Sequence, residues 1–249
     1  VNPEAPHPAR PVVQRLRVQY AKRGRMRFTS ARDFQRALER AIRRAEVPVA
    51  WSQGFSPHPR ISYADAVPTG IASEAEYVEV ALQDRRDPAQ VAAALAAALP
   101  DGLDVVRVVE AAGPSLGEVL SGAGAGSAWL LRLPGVEPAT LAAALRALLA
   151  EPSVLVARAT KSGRTEVDVR AALVTAEVSA ADTNAPGGVD TCAILRMVVR
   201  HGTPSVRPDD VLAGLHVAAG LAPPVPPVAT RLAQGPLDEQ TGTVADPLA

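Results

Sequence analysis

The sequence predicts an α+β fold, with a ferredoxin-like (split β-α-β) N-terminal unit followed by a second, similar α+β unit. Three observations predict it. Val12 to Tyr20 alternates apolar and polar residues with the period of a half-buried strand. Phe34, Ala37, Leu38, Ala41, Ile42 and Ala45 recur at the spacing of a helical stripe that packs on a sheet. Strand and helix patterns then continue in the order β-α-β-β-α-β, and a new run of such patterns starts after a Gly/Ala/Ser-rich stretch.

Taken in order, residues 1–11 read as a flexible N-terminus and 12–111 as the basic ferredoxin-like domain. After the Val12 strand, Lys22 to Arg25 is a Gly-containing turn, and Met26 to Thr29 extends a short strand or leads into the helix. Ser30 is a good N-cap, with Asp33 three residues on. Pro48 stops the helix, and Val49 to Trp51 reads as a short strand. Ser52 to Pro59 is a loop, because Gly54 permits unusual backbone angles while Pro57 and Pro59 remove donors. Ile61 to Val67, Tyr77 to Gln83 and Leu103 to Glu110 read as strands, and Asp87 to Leu99 as a helix.

Residues 112–127 read as a linker and 128–220 as the second domain. That domain has predicted strands at Ala128 to Leu133, Val154 to Thr160, Glu166 to Val178 and Val189 to Arg200, and helices at Glu137 to Ala150 and Pro208 to Ala219. Residues 221–249 hold six prolines and few periodic apolar positions, which predicts a Pro-rich disordered tail.

The 249 residues are 47% apolar and 21% charged, a balance typical of folded soluble chains. Aromatics make up only 3%, so small and branched aliphatics must build the core. With no long apolar run and no apolar segment near the start, the expectation is a cytoplasmic protein without membrane contact. The lone Cys192 excludes an internal disulfide framework or a cysteine-built iron–sulfur site, so no metal or cofactor is expected in this chain. Net charge is zero but segregated: residues 10–60 carry thirteen Lys or Arg against Asp33, Glu39 and Glu46. That block either attracts an anionic partner or docks on the acidic remainder of the chain. Glu39 can pair with Arg43, and Glu74 and Glu76 with the helix arginines or Arg60.

A dense set of short words lies in this basic region. It comprises Arg27-Phe28-Thr29-Ser30, Asp33-Phe34, Arg36-Ala37-Leu38-Glu39-Arg40-Ala41, Arg43-Arg44-Ala45 and Val47-Pro48. It continues with Ser52-Gln53-Gly54-Phe55-Ser56-Pro57-His58-Pro59-Arg60-Ile61-Ser62, Pro68-Thr69-Gly70 and Ser73-Glu74-Ala75-Glu76-Tyr77. This pattern resembles the radical SAM-linked (radical SAM-associated) proteins that carry the DUF2344 domain, in the actinobacterial stand-alone form. The resemblance implies a radical SAM protein as partner, which itself uses S-adenosylmethionine and an iron–sulfur cluster. In some actinobacterial members the domain lies near ribonuclease E/G-type genes, so the resemblance also offers RNA or that machinery as a partner. The chain departs from the pattern at Ala31, where relatives commonly carry a histidine after the serine.

The residues themselves point to several candidates. His58, braced by two prolines, can act as a general acid/base or donate to phosphate, with Asp33 as a second proton-transfer group. Arg27, Ser30, Arg36, Arg40, Ser52, Gly54, Arg60 and Glu76 form the candidate substrate- or phosphate-binding set. Phe55, presented by Gly54, suits stacking on a base, whereas Trp51 and Tyr63 fit core packing better. His7 and His201 look incidental, and His216 structural. The leading expectation is an accessory that binds a phosphate-bearing substrate, RNA or nucleotide, where the arginine helix and the Gly/Pro loop converge. The alternatives are an RNA-processing or RNA-modifying enzyme using His58 and Asp33, and a protein-interaction scaffold.

Overall fold

The structure, a computed structural model, describes residues 11–53, 55–121, 124–160, 163–180 and 191–249. They fall into two compact units, one reaching to Glu118 and including Leu248–Ala249, the other spanning Val119–Pro247. The mixed helix and strand content is the α+β class expected. The expected N-terminal segment 1–11 lies, apart from Pro11, outside the described residues.

In the first unit β1 (Gln14–Lys22) leads through a 3-10 turn (Gly24–Phe28) into α1 (Ala31–Arg44). Then follow β2 (Ile61–Tyr63), β3 (Ala72–Leu82), α2 (Pro88–Ala98) and β4 (Leu103–Glu110). The strands lie in the order β4-β1-β3-β2, each antiparallel to its neighbour. This chain order and strand order are those of a split β-α-β layout. Period-two alternation sorts the side chains of the sheet. Leu16, Val18 and Tyr20 of β1 and Val78, Val80 and Leu82 of β3 form one core cluster with Phe34, Leu38 and Ile42 of α1 and Val91 and Leu95 of α2. Tyr20 stacks on Phe34 with ring centroids 4.0 Å apart, and Tyr63 meets Phe34 edge-on at 6.3 Å.

The start of α1 is set as expected: Ser30 Oγ accepts the Asp33 N–H at 3.1 Å. Its end comes at Ala45, ahead of Glu46 in the left-handed region at φ 51° and Pro48. Met26 to Phe28 belong to the 3-10 turn rather than to a strand, and Val49 and Trp51 make only isolated bridges to Leu82 and Pro59.

On the face away from the helices the alternating partners are charged. Arg17 lies opposite Glu79 in the ladder, and Ser62 lies opposite Glu79 on its other side. Arg17 Nε sits 3.3 Å from one Glu79 oxygen and Arg15 Nη1 2.9 Å from the other. The side chains of Arg17 and Glu79 are only 6% and 8% exposed, and Arg17 also donates to the Pro114 carbonyl. A buried pair that is also hydrogen-bonded is costly to break from one side only.

The second unit has β5 (Ala125–Pro134), α4 (Pro138–Ala150), the hairpin β6 (Leu155–Thr160) and β7 (Gly163–Asp168), and α5 (Val169–Ala172). β8 (Leu173–Ala180), β9 (Cys192–Arg200), α6 (Pro208–Ala219), β10 (Val228–Asp238) and β11 (Thr243–Val244) complete it. Its strands run antiparallel in the order β10-β5-β9-β8. With the hairpin and α5 taken as an insertion, this is the layout of the first unit again. Gly214 permits α6 to pack closely, since a Cβ there would stand 3.1 Å from Val169 and 3.2 Å from Leu148.

Three expectations are corrected here. The 112–127 stretch is no structureless linker: it contains α3 (Leu116–Leu120) and the first residues of β5. The strand expected over Glu166 to Val178 is broken by α5, because Asp168 caps it: its carboxylate accepts from the Ala171 and Val154 N–H groups and from Ser153 Oγ. The segment 221–249 is not a disordered tail, since it supplies β10, paired along β5 from Val228 to Pro236. Two of the inward positions of β10 are polar, Arg231 and Gln234, at 2% and 0% exposure, which removes the apolar alternation a strand normally shows. Arg231 instead places its guanidinium over the Trp129 ring, 5.8 Å from the centroid. Among the described residues no helix is long and apolar enough to cross a membrane.

Two stability outcomes follow from these contacts. Glu79→Ala, leaving Arg17 buried without its anion, is expected to cost roughly 3–5 kcal/mol in urea unfolding. Glu79→Ala combined with Arg17→Met should recover much of that loss, and an unchanged midpoint in the single variant refutes the coupling. For Asp168, burial pushes its pKa up, but the hydrogen bonds from Ser153 and from the Ala171, Val154 and Arg170 N–H groups outweigh it and hold the carboxyl below the usual aspartate range. Its folded pKa being depressed, it contributes stability above the unfolded value of about 3.9, lost as pH falls through the folded value. Asp168→Asn should therefore flatten the acid limb of the stability-versus-pH curve below about pH 4, and parallel curves for the two proteins would exclude this role.

Candidate functional site

A cavity of about 260 Å³ opens on the face of the first sheet opposite the helices, lined by Arg15, Ser52, His58, Arg60, Ser62 and Glu79 among others. The sheet alternation that buries Leu16 and Val80 against the helices sends Arg15, Glu79 and Ala81 to this side. Ser52 and His58, the two ends of a loop, line it and are held together by hydrogen bonds. Ser52 N–H donates to the His58 carbonyl at 2.9 Å, and Trp51 bridges Pro59. Arg60 N–H in turn donates to the Ala50 carbonyl at 2.8 Å, holding the chain on past the loop.

Ser52 also fixes the imidazole. Its Oγ accepts the His58 backbone N–H at 3.1 Å and lies 2.9 Å from His58 Nδ1. Assigning the hydroxyl proton to Nδ1 leaves Nε2 as the ring's N–H, a donor not used in this loop contact. Arg60 is exposed and makes no side-chain hydrogen bond or ion pair among the described residues. The immediate charge is then three guanidiniums, Arg15, Arg17 and Arg60, against the single carboxylate of Glu79. Such a site suits a small anion.

The structure thus brings together Ser52, His58 and Arg60 of the candidate set, with Phe55 on the same loop and 79% exposed. Gly54 lies outside the described residues. The others are placed elsewhere. Arg36 and Arg40 project from the side of α1 opposite its buried face, and α1 covers the other side of the sheet, so the arginine row and the loop do not share one surface. Asp33 receives the Ser30 hydroxyl at 2.7 Å, a local cap, and does not line the cavity of His58, which corrects the expected proton-transfer pair. Glu76, 1% exposed, accepts the Val67 N–H at 3.1 Å and anchors the 64–70 loop. Arg27 lays its guanidinium 4.5 Å over the Phe28 ring, and its carbonyl accepts the Gly70 N–H.

The expected acid partners also differ. Glu74 pairs with Arg23 at 2.5 Å, which also binds Asp104, and chiefly the Glu74 hydrogen bond raises the Arg23 pKa. No ion pair joins Glu39 and Arg43 among the described residues. Tyr63 is half-buried in the core, and burial first, then the Glu39 charge, pushes its hydroxyl up to about 12. Trp51 remains 36% exposed at the base of the loop rather than in the core. His201 is not incidental: its Nε2 lies 2.7 Å from Ser127 Oγ and its Nδ1 2.8 Å from the Leu120 carbonyl, tying α3 to β5. Arg15 and Glu79 escaped the sequence reading, although the RLR and EYVEV alternations carry the signal: charges on one side of two neighbouring strands.

A larger cavity of about 710 Å³ lies in the second unit, lined mainly by Ala, Gly and Pro with Glu137 and Thr140. Among the described residues, no cationic side chain and no candidate residue lines it. No group of three His, Cys, Asp or Glu among the described residues is placed to hold a metal. Cys192 is a buried free thiol.

A comparison with curated proteins finds no match. One solved structure similar to this chain is the crystal structure of an unknown protein from Galdieria sulphuraria, at 14% identity over 88% of this chain and 98% of that one, with a TM-score of 0.24. At that score it bears on neither fold nor function. The family described as "Uncharacterized protein conserved in bacteria (DUF2344)" matches residues 15–208, which include both the basic loop region and most of the second unit, and the chain belongs to that family.

Proposed function

We propose that the first unit binds the phosphate group of an anionic ligand in the Ser52–His58–Arg60 cavity, as a substrate-binding accessory of a radical SAM protein. The observation that carries the binding reading is Arg60: an exposed, uncommitted guanidinium beside an imidazole whose orientation Ser52 sets. Among the described residues lining the cavity Glu79 is the one carboxylate, and Arg15 and Arg17 already engage both of its oxygens, so it repels an incoming anion less than a bare acid does. The partner enters from the resemblance to radical SAM-linked proteins. The arginine row on α1 favours a second contact: Arg32, Arg36, Arg40 and Arg43 are exposed and uncommitted among the described residues, and suit the acidic surface of that partner.

Ribose 5-phosphate, titrated calorimetrically, is the test. Arg60→Ala is expected to weaken it about ten- to a hundredfold, the worth of a charge-assisted hydrogen bond. Arg36→Ala with Arg40→Ala should leave that affinity unchanged while reducing co-purification of the radical SAM protein. Equal binding by wild type and Arg60→Ala, or its loss in the helix variant, overturns the assignment of the phosphate to this cavity.

A further inference from the structure

We infer that the ligand of this cavity is a nucleotide, its phosphate inside and its base stacked outside on Phe55. The inference rests on the phosphate reading above and adds what the rest of the ligand is. A volume of about 260 Å³ is small. Sites that enclose a whole drug-sized ligand run to roughly 300–1,000 Å³, so only the phosphate and part of its sugar fit within this one. Whatever is attached must lie outside it, and the loop from which Ser52 and His58 line the cavity also carries Phe55.

The chain holds only three Phe, three Tyr and two Trp. Tyr20, Phe34 and Tyr77 are buried, Tyr63 packs edge-on against Phe34, and Trp129 is 7% exposed under Arg231. Phe28 is 57% exposed, but one face of its ring is taken by the Arg27 guanidinium. Phe55, at 79%, is the most exposed of the large apolar residues described, and Trp51 at 36% stands at the base of the same loop. A flat ring held out in water, on the loop that supplies Ser52 and His58 to a cationic cavity, matches a ligand with one charged end and one flat apolar end. Phe55 is three residues from His58, so their backbones are at most about 11 Å apart, a span comparable to one whole nucleotide from phosphate to base. Stacking on a single ring tolerates any base, because every base has a π-face.

The experiment titrates adenosine 5′-monophosphate, ribose 5-phosphate and a 5′-phosphorylated tetraribonucleotide into wild type, Phe55→Ala and Phe55→Trp. The monophosphate is expected to bind about tenfold more tightly than ribose 5-phosphate, the worth of one base on one aromatic. Phe55→Ala should erase that advantage and leave ribose 5-phosphate untouched, while Phe55→Trp keeps it. A tetranucleotide tighter than the monophosphate identifies a strand end as the source of the base. Equal affinity identifies a free nucleotide, and both results support the inference. Equal binding of the monophosphate and the sugar phosphate to wild type, or no effect of Phe55→Ala, overturns the nucleotide while leaving the phosphate reading in place. Failure of all three ligands to bind removes the phosphate reading itself.

Discussion

Glu79 is held between two arginines on a strand whose next residue, Val80, is buried in the hydrophobic core. Its neighbour across the ladder, Arg17, is as buried as Leu16 and Val18 beside it, and the ion pair satisfies a charge that the sheet would otherwise have to leave unpaired. The constraint is the two-residue period of a strand. One side of β1 and β3 is committed to the helices by Leu16, Val18, Val78 and Val80, so the polar residues between them are delivered to the other side as a set. The cavity is made there. Arg15 and Glu79 line it from the sheet, and Ser52 and His58, hydrogen-bonded to each other, line it from the loop.

The same geometry divides the basic residues into two groups on different faces. Helix α1 must turn Phe34, Leu38 and Ile42 to the sheet, which obliges Arg36 and Arg40 to face solvent on the far side of that layer. Arg15, Arg17 and Arg60 belong to the opposite face. A block of positive charge that is continuous in sequence is therefore two surfaces in space. Many of the remaining short words serve architecture: Ser30 and Asp33 cap α1, Glu76 ties down the 64–70 loop, and Arg23 gathers Glu74 and Asp104.

The second unit repeats the strand order of the first, and that repetition explains the residues that looked least structured. A split β-α-β layout needs a fourth strand after its second helix. With α6 ending at Ala219, that strand falls in the proline-bearing segment, where β10 is found. Its inward Arg231 and Gln234 conceal it from any reading by hydrophobic period. Asp168 had a similar effect in the other direction, since a β-rich stretch runs on either side of a single capped turn.

Local chemistry made several features legible from residues alone: the strand alternation of β1, the apolar stripe and serine cap of α1, the proline stop, and the loop that carries His58 and Phe55. Each depends on neighbours within a few positions, and so is written in a short window of sequence. Tertiary structure alone decided which charges meet. Arg15 and Glu79 are 64 residues apart and come together because antiparallel pairing places their strands side by side. Arg36 and His58, much nearer in the chain, are separated because a sheet has two faces and the helix covers only one.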